Sequence, residues 1–558
     1  MARHFIPSSA SASSDRDNSP PPPYSKISPR TSEETPLLGY PIGPKRPSRQ
    51  YTSIRQYLPI LLAMTFFLSI VLFLVFLVYL ARFLFSPAPT PTYSVAIIGA
   101  GPAGISAAQH LRHLEAARAF RLNITLFESA PVLGGQLALN DSTSGPVFPH
   151  NDPEERPITA EDVVGTALVY NNPLFAKTAE ATLGYEIGFS ELPSQQVGYF
   201  SGEGIVSQTT RPYSKTPWTN WLGLIWRYGP SFWRAGNMAK EGDPFGRFTD
   251  LPLTSDVTQL MISLGILASV QEHADNALGA RGIGGLYVTE VLGPQAQLAH
   301  SQPVSDISSL ALMLATFQED TANSYIGGEL VDILEQMVSA IGITVQTCTE
   351  VFGLKHEMIS EHESAWLVEY GASGSSKFQA EAFDKVIIAA PGFDVYQSAS
   401  IEDVEAVSSL TYRPVHATFF TVTSRLNPDV YGDVDQILFL EEQVGDSPLG
   451  EIQELAFLRE VVRFQDGEHK IEYLYRSLSE GNITEKILGL DLGVTWLHQA
   501  RLVNAHPHLY PSSKTTSFKL SDKGLWWTSA IHTIASTVDL SCLAGQIVAE
   551  ELIKDIMK

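Results

Sequence analysis

The chain has 558 residues, of which 44% are hydrophobic and 17% charged, and it contains only two cysteines. This length allows roughly two to three domains, and the cysteine count excludes a secreted mini-domain held together by several disulfides. The formal net charge of −23 argues against a nucleic-acid partner, because an acidic protein repels phosphate.

Residues 1–57 differ in composition from the rest of the chain. They are rich in Ser and Pro, show no apolar periodicity, and carry eight Lys or Arg against four Asp or Glu. Such a segment buries too little apolar surface to offset its ordering entropy, so we expect a disordered tail.

An uncharged stretch of 23 residues, Leu58 to Leu80, follows the tail. At about 1.5 Å per residue a helix of this length crosses the roughly 30 Å hydrocarbon layer, so we predict a membrane-spanning signal anchor over 58–85. More basic residues precede this helix than follow it, which places the tail in the cytosol and residues 86–558 in a lumen. The basic residues are Lys45, Arg46, Arg49 and Arg55 before the helix and Arg82 near its end.

Sequons at Asn123, Asn140 and Asn482 fit a luminal body as candidate glycosylation sites.

Two short patterns in the tail resemble sorting signals. Pro21-Pro22-Pro23-Tyr24 resembles the ligand of WW domains, in which a polyproline II turn docks in an aromatic groove. Glu33 followed by Leu37-Leu38 resembles the acidic dileucine signal that adaptor complexes read on the route to vacuoles and lysosomes. Together they predict WW-domain and adaptor partners and a vacuolar or lysosomal destination.

A glycine motif opens the body. Gly99, Gly101 and Gly104 form GxGxxG between an apolar run that begins at Tyr93 and a helical pattern that continues to Leu114. The first glycine allows a tight turn, the second admits a pyrophosphate and the third brings helix and strand together. A second apolar run ends at Glu128, whose carboxylate would accept hydrogen bonds from ribose hydroxyls and repel a 2′-phosphate.

A second glycine pair, Gly134-Gly135, followed by Gln136, resembles the extended dinucleotide motif of the flavin-containing amine-oxidase superfamily. That resemblance implies FAD as the cofactor, with the glycine pair near its pyrophosphate. Gln136 stands where Arg is usual, which removes one cationic phosphate contact.

Further segments resemble the superfamily in the same order along the chain. They are Tyr325 to Leu330, Ile343 to Val351 with Cys348 at the adenine contact, Asp384 to Pro391, and Ala535 to Asp539 at a helix start. The resemblance implies that Thr537, Val538 and Asp539 contact the flavin, where the positive end of the helix dipole stabilises the reduced ring.

The order of motifs over 93–555 most resembles the prenylcysteine oxidase (prenylcysteine lyase) family, in a fungal-type form with a long cytosolic tail. The distinguishing stretches are Trp218 to Trp233 and Leu525 to Ala530. This implies an α/β fold with a Rossmann-like FAD-binding domain, an interleaved α+β substrate domain and one transmembrane helix. The implied boundaries are 93–160, 325–395 and 505–558 for the FAD-binding domain, and 161–324 and 396–504 for the substrate domain.

The family's reaction is the oxidative cleavage of a thioether. A hydride leaves the prenyl C1 for the flavin, water adds, and cysteine, a prenyl aldehyde and hydrogen peroxide result. The cofactor carries the hard step, so we name no catalytic residue. His532, seven residues before Asp539, is the histidine we expect nearest the substrate.

The tryptophan-rich segment allows three interpretations. Trp218, Trp221, Leu222, Ile225 and Trp226 share one helical face. That face could be core, a wall for an isoprenoid chain with Trp221 and Trp226 against substrate, or a surface at the membrane interface.

Two other functions remain open from the residues alone, a flavin amine oxidase acting on a polyamine or other amine and an inactive flavoprotein fold serving as a membrane adaptor. No HExxH, paired CxxC or EF-hand pattern indicates a metal, and no GxSxG indicates a hydrolase. Cys348 on a strand and Cys542 on a helix are expected to be two buried thiols.

Overall fold

The computed structural model describes two compact units of the chain, within residues 1–87 and 88–558. The described residues are 58–84, 90–138, 158, 162, 167–168, 173–191, 194–241, 253–320, 323–325, 327–359, 364–375, 377–393, 410–440, 451–465, 467–489, 492–513 and 516–558. The tail patterns at Pro21–Tyr24 and Glu33–Leu38 and the sequon at Asn140 lie outside them.

The first unit contributes one described helix, α1 (Leu58–Leu84), of 27 residues. Its residues are apolar on all sides and none of the hydrophobic window is buried, so the helix is long and apolar enough to cross a membrane. The predicted apolar helix is therefore present, while its insertion in a membrane and the orientation of the chain stay predictions.

The second unit is built around a six-stranded sheet in the order β18-β19-β12-β1-β2-β8. Its strands are β1 (Thr92–Ile98), β2 (Arg121–Phe127), β8 (Thr344–Gln346), β12 (Lys385–Ile388), β18 (Lys519–Ser521) and β19 (Leu525–Trp527). Every pair except β18 with β19 is parallel. Parallel strands buried on both faces read as near-continuous apolar runs, as β1 does.

Helices on this sheet connect and cover its strands. They are α2 (Pro102–Glu115), α3 (Leu174–Leu183), α12 (Gly327–Ile341) and α15 (Val538–Ile556). Helix α3 falls within the predicted substrate domain but packs against α12 and α15. The Rossmann-like part of the predicted fold is confirmed.

A seven-stranded sheet forms the second layer, in the order β17-β13-β16-β15-β14-β5-β6. Its strands are β5 (Gln195–Phe200), β6 (Ile205–Arg211), β13 (Tyr412–Val422), β14 (Gln436–Phe439), β15 (Ile452–Gln465), β16 (Glu468–Ser479) and β17 (Val494–Pro507). Only β14 with β5 is parallel. Strand β17 runs three residues into the predicted 505–558 segment, so the strand crosses that boundary.

Two small sheets complete the strands. The meander β11-β10-β9 comprises β9 (Thr349–Met358), β10 (Ser364–Ala372) and β11 (Gln379–Phe383). The sheet β3-β7-β4 comprises β3 (Ala167–Leu168), β4 (Ser190–Glu191) and β7 (Asn323–Tyr325).

The remaining helices lie mainly between β6 and β7. They are α4 (Trp218–Tyr228), α5 (Ser231–Glu241), α6 (Val257–Leu264), α7 (Leu267–Gln271), α8 (Ala274–Ala280), α9 (Gly285–Tyr287), α10 (Gly293–His300) and α11 (Ser309–Asp320). Later in the chain come α13 (Pro428–Tyr431) and α14 (Thr484–Gly489). The inner faces of α4, α5, α8, α10 and α11 share a core cluster with residues of β5 and β14.

Helix α2 is packed closely on two sides. A Cβ atom at Gly104 would lie 2.0 Å from the carbonyl oxygen of Gly99 on the β1 turn. A Cβ atom at Gly545 of α15 would lie 2.3 Å from the carbonyl oxygen of Ala103. Neither neighbour is a flexible side chain, so both glycines are required by backbone approach rather than by a turn.

Replacing Gly545 should therefore destabilise the fold. We expect Gly545→Ala to lower the free energy of unfolding by about 1–3 kcal/mol, because the added methyl overpacks the contact between α15 and α2. Gly279→Ala is the matched control, since this exposed position of α8 has nothing within 4 Å of the new Cβ atom. The control should be neutral or stabilise by up to about 1 kcal/mol. Equal melting temperatures for the two variants would contradict the close packing.

Candidate active site

A cavity of about 1290 Å³ extends from the glycine motif to the seven-stranded sheet. Gly99, Gly101 and Gly135 line its dinucleotide end, and Val415 and Arg476 line its sheet end. One continuous space therefore borders both the predicted cofactor motif and the second layer of the fold.

The glycine motif has the backbone geometry that its sequence predicts. Gly99 has a φ of +103°, and a Cβ atom there would lie 2.9 Å from the carbonyl oxygen of Ala389. The third glycine, Gly104, faces away from the cavity and permits the close contact of α2 with β1. The motif therefore keeps the helix start against the sheet edge.

Gly101 and Gly135 face each other across the dinucleotide end of the cavity. A Cβ atom at Gly101 would meet only the Cα atom of Gly135, at 3.9 Å, and Gly135 itself has a φ of +58°. Gly101 is the N-cap of α2 and provides no side-chain cap, so backbone N–H groups of the first turn remain available. This cradle suits a pyrophosphate, since helix N-termini bind anions through such groups. Gly134 lies behind the cradle and donates its N–H to the carbonyl of Ala100 at 2.9 Å.

Glu128 lies at the carboxyl end of β2 and lines the cavity. Its carboxylate accepts hydrogen bonds from the N–H groups of Ala100 and Ala130, both at 2.8 Å. These bonds fix the carboxylate beside the cradle, where the sequence predicts a ribose.

The side chain of Gln136 bridges the two layers. Its amide donates a hydrogen bond to the backbone carbonyl of Asn504 on β17. Asn504 in turn donates from Nδ2 to the carbonyl of Pro391 at 3.3 Å. Gln136 therefore ties the glycine loop to the seven-stranded sheet.

Cys348 does not occupy the position that the resemblance implies. The thiol is exposed, and both backbone groups of Cys348 bond to protein, the N–H to Ala130 and the carbonyl to the N–H of Ser373. The following residues, 349–352, line the cavity, whereas Cys348 does not. The expectation of two buried thiols is also wrong for Cys348, which lies on a bend between β8 and β9 with a φ of 51°.

Two of the three residues predicted to contact the flavin line the cavity at the start of α15. Thr537 and Val538 line the cavity, and the hydroxyl of Thr537 caps the helix by accepting from the N–H of Leu540 at 3.1 Å. Asp539 is fully buried away from the cavity lining, where it accepts from the N–H of Phe175 at 2.8 Å. Burial raises the pKa of Asp539 to about 6. The carboxylate thus caps α3 rather than reaching the cavity.

His532 lies on the cavity wall near the start of α15. Its Nδ1 is 2.9 Å from the hydroxyl of Tyr412 on β13. Burial lowers the pKa of His532 to about 4 and raises the pKa of Tyr412. His506, also on the wall, has its pKa lowered to about 3 by burial first and by His300 second. These rings are therefore neutral at ordinary pH.

The sheet end of the cavity holds charged groups that the sequence reasoning missed. Arg476 binds Glu454 through two hydrogen bonds of 2.8 and 2.9 Å, and Arg459 binds Asp162 at 2.6 Å. Glu454 and Arg476 lie on the neighbouring strands β15 and β16, so their pairing is visible only once these strands are in register. Charged residues within an otherwise apolar strand, such as Glu454 in β15, were the available signal.

Arg501 differs from these paired arginines. It lines the cavity and makes no hydrogen bond or ion pair with any residue that the structure describes. The pKa of the neighbouring His416 is lowered by burial and then by the charge of Arg501. Arg501 is therefore a cation on the cavity lining that has no carboxylate partner among the described residues.

Apolar side chains form much of the remaining wall. They are Leu298, Leu314, Val415, Leu458, Leu478, Leu502, Val503 and Leu509. Trp221 and Trp226, predicted to contact substrate, are not part of this lining. Trp226 is 92% exposed, so the interpretation of its helical face as core is also wrong.

No group of three or more metal-ligating side chains occurs within the described residues. The predicted sequons at Asn123 and Asn482 lie at exposed positions, on β2 and just before α14. Glycosylation of either stays a prediction.

The buried neutral histidines should make stability depend on pH. In the unfolded chain His532 takes up a proton near pH 6.5, whereas in the folded protein it does so only near pH 4. Between these values protons bind preferentially to the unfolded chain, so the free energy of unfolding decreases as the pH falls from 6.5 to 4. We expect His532→Gln, which keeps a polar group beside Tyr412, to reduce this slope by up to about 1.4 kcal/mol per pH unit. His469→Gln, at an exposed position of β16, should leave it unchanged. Chemical denaturation at several pH values measures the slopes, and parallel curves for His532→Gln and the parent would refute this account.

Comparisons with known proteins agree with this geometry. The family model for prenylcysteine lyase matches residues 213–558, and the model for an NAD(P)-binding Rossmann-like domain matches residues 97–152. No curated protein matches the chain.

Similar solved structures include a triple mutant of putrescine oxidase, 14% identical, with a TM-score of 0.48 over 84% of this chain and 100% of that chain. Wild-type putrescine oxidase bound to putrescine is 14% identical over the same shares, with a TM-score of 0.46. An oxidoreductase from Methanosarcina mazei is 12% identical over 83% of this chain and 100% of that chain, with a TM-score of 0.46.

The family match covers more than half of the chain and contains β13 to β17, the start of α15 and the charged end of the cavity. The resemblance that the sequence motifs indicated is therefore confirmed: the chain belongs to the prenylcysteine lyase family and is a flavin-dependent oxidoreductase.

Proposed function

We propose that this chain is an FAD-dependent thioether oxidase that cleaves prenylcysteine. The reaction consumes prenylcysteine, water and oxygen and yields cysteine, a prenyl aldehyde and hydrogen peroxide. The carbon–sulfur bond at the prenyl C1 breaks, C1 is oxidised to the aldehyde and oxygen is reduced to peroxide. The observation that carries the proposal is the single cavity that joins the glycine cradle to apolar and charged side chains on the sheet.

The residues of the dinucleotide end fit FAD. Gly101 and Gly135 leave a space that a Cβ atom would fill, and the start of α2 offers N–H groups to the pyrophosphate. Glu128 lies beside them for a ribose. When bound, FAD supplies the two-electron chemistry, accepting hydride equivalents from substrate and passing electrons to oxygen.

The start of α15 and the wall around His532 would then surround the reacting end of the substrate. Thr537 and Val538 place a helix N-terminus at the cavity, which favours negative charge nearby. We assign the water that the reaction consumes to the hydrogen-bonded pair of Tyr412 and His532 on this wall. Both side chains are neutral, so they would position this water without a permanent charge.

The rest of the cavity matches the two parts of prenylcysteine. The leucine and valine side chains of the wall suit an isoprenoid chain, because burying apolar surface yields about 25 cal/mol per Å². Arg501 offers a guanidinium to the carboxylate of the cysteine end. Glu454 and Arg476 are hydrogen-bonded to each other and their charges cancel, so this pair makes the cavity wall polar without adding net charge.

The reaction is tested by anaerobic flavin absorbance of the full-length protein. Farnesylcysteine should bleach the flavin, whereas spermine should not. S-Farnesylcysteamine, which lacks the carboxylate, should need roughly tenfold higher concentration, since it loses a charge-assisted hydrogen bond of about 1.5–3 kcal/mol. Bleaching by spermine alone would overturn the proposal in favour of an amine oxidase. A folded protein without flavin would favour the adaptor function, and equal response to both farnesyl compounds would remove the role given to Arg501.

The cofactor site is tested separately by Gly101→Ala. The added methyl meets no described atom closer than 3.9 Å and Gly101 has a φ of −81°, so the apo fold should be unchanged. The methyl would occupy the pyrophosphate cradle, so we expect at least a roughly tenfold loss of FAD affinity. Gly188→Ala, with nothing within 4 Å, is the control. The measurement is the flavin-to-protein ratio together with the melting temperature after flavin removal, and full flavin content in Gly101→Ala would contradict the assignment.

A further inference from the structure

Helices α4 and α5 carry a tryptophan-rich surface that the proposed reaction does not use. Trp226 is 92% exposed, Trp218 71%, Trp233 68% and Leu222 56%. We propose that this surface, made of Trp218, Leu222, Ile225, Trp226 and Trp233 and called here the tryptophan surface, rests in the interface of the lipid bilayer. The proposal is independent of the reaction catalysed.

Helices α4 and α5 each bury another set of side chains against the protein, in addition to the exposed ones. Leu224 and Tyr228 of α4 and Ala235 and Met238 of α5 are buried in a core cluster shared with β5. A helix with apolar residues on both its inner and outer sides belongs in a core or against lipid. Because the inner side already packs on protein, the outer side is the one that needs a partner.

The two helices are held rigidly enough to present this surface. Glu290 accepts hydrogen bonds from Arg227, at 2.5 and 2.6 Å, and from the hydroxyl of Tyr228, at 2.6 Å. Ser231 accepts from the N–H of Gly284 at 3.0 Å, and Arg234 donates to the carbonyl of Gly282 at 2.6 Å. The tryptophans therefore stand outward on a fixed support rather than on a loose loop.

The local charge matches a phospholipid surface. Residues 213–241, which end with α5, contain four Lys or Arg and one Glu, in a chain with a net charge of −23. Arg227 is neutralised by Glu290, so the positive charge left on this surface comes from Lys215, Arg234 and Lys240. Tryptophan is enriched at the membrane–water interface, and basic residues around it are attracted to anionic headgroups. Exposed tryptophans with basic residues beside them are the combination that a bilayer interface favours.

The connection between α1 and the body is short. Only residues 85–91 separate the end of α1 at Leu84 from the start of β1 at Thr92. Even fully extended, this connection spans at most about 30 Å. If α1 crosses the membrane, the body cannot leave its surface, and even a weak interfacial contact is occupied because the tether supplies a high effective concentration.

A depth-sensitive label tests the proposal on the full-length protein in nanodiscs of phosphatidylcholine and phosphatidylserine. In a Cys348→Ser background, which leaves only buried Cys542, an environment-sensitive fluorophore is attached at Leu222→Cys. We expect doxyl lipid to quench this label roughly two-fold or more, with a shift to shorter emission wavelength. The matched control is Phe378→Cys, 67% exposed and next to β11, which should respond to aqueous iodide and not to doxyl lipid.

Adding Trp218→Ser and Trp226→Ser should bring the label at 222 to the behaviour of the control. Both tryptophans are largely exposed, so the melting temperature should not fall, and this separates loss of lipid contact from misfolding. A label at 222 that behaves like the label at 378 would overturn the proposal. Shielding of the label at 222 from both iodide and doxyl lipid would overturn it too, since the surface would then be covered by protein. A dependence of that shielding on protein concentration would identify a second copy as the cover.

Discussion

The dinucleotide end of the molecule depends on the close approach of three backbone segments around α2. Gly104 lets the helix contact the turn of β1, and Gly545 lets α15 contact its other side. Because both contacts are made by backbone atoms, neither can relax by a change of rotamer. The start of α2 is thereby fixed at the edge of the sheet, and the start of α15 is fixed in the same rigid body, so both helix ends border one cavity.

The cavity combines features that a large apolar substrate with a charged end requires. Its apolar wall comes from strands of the seven-stranded sheet and from α10 and α11, while Arg476 and Glu454 neutralise each other within it. A buried pair of this kind costs desolvation energy and is retained only when the hydrogen bonds are complete. Here the guanidinium makes three hydrogen bonds, two to Glu454 and one to the carbonyl of Asp162. Arg501, which has no partner among the described residues, is the cation to which we assign the substrate carboxylate.

Two surfaces of the body thus have different chemistry. The cavity is polar at its ends and lies between the two sheets, whereas the tryptophan surface is exposed and apolar with basic residues around it. Amphipathic helices usually bury one face only, and α4 departs from this rule because its outer face is also apolar. The sequence indicated the helical stripe, but which side of it faced the core depended on contacts with β5 and Glu290 that are distant along the chain.

The sequence by itself determined the Rossmann-like sheet, the glycine cradle, the apolar N-terminal helix and the family. Those features depend on local patterns, such as an apolar strand, a glycine turn and a helix start, whose spacing fixes the geometry. Tertiary structure alone decided that Asp539 caps α3, that Cys348 lies outside the cavity and that Arg476 pairs with Glu454. Each of these depends on which distant strand or helix packs nearby, and residue type and spacing along the chain carry no record of that partner.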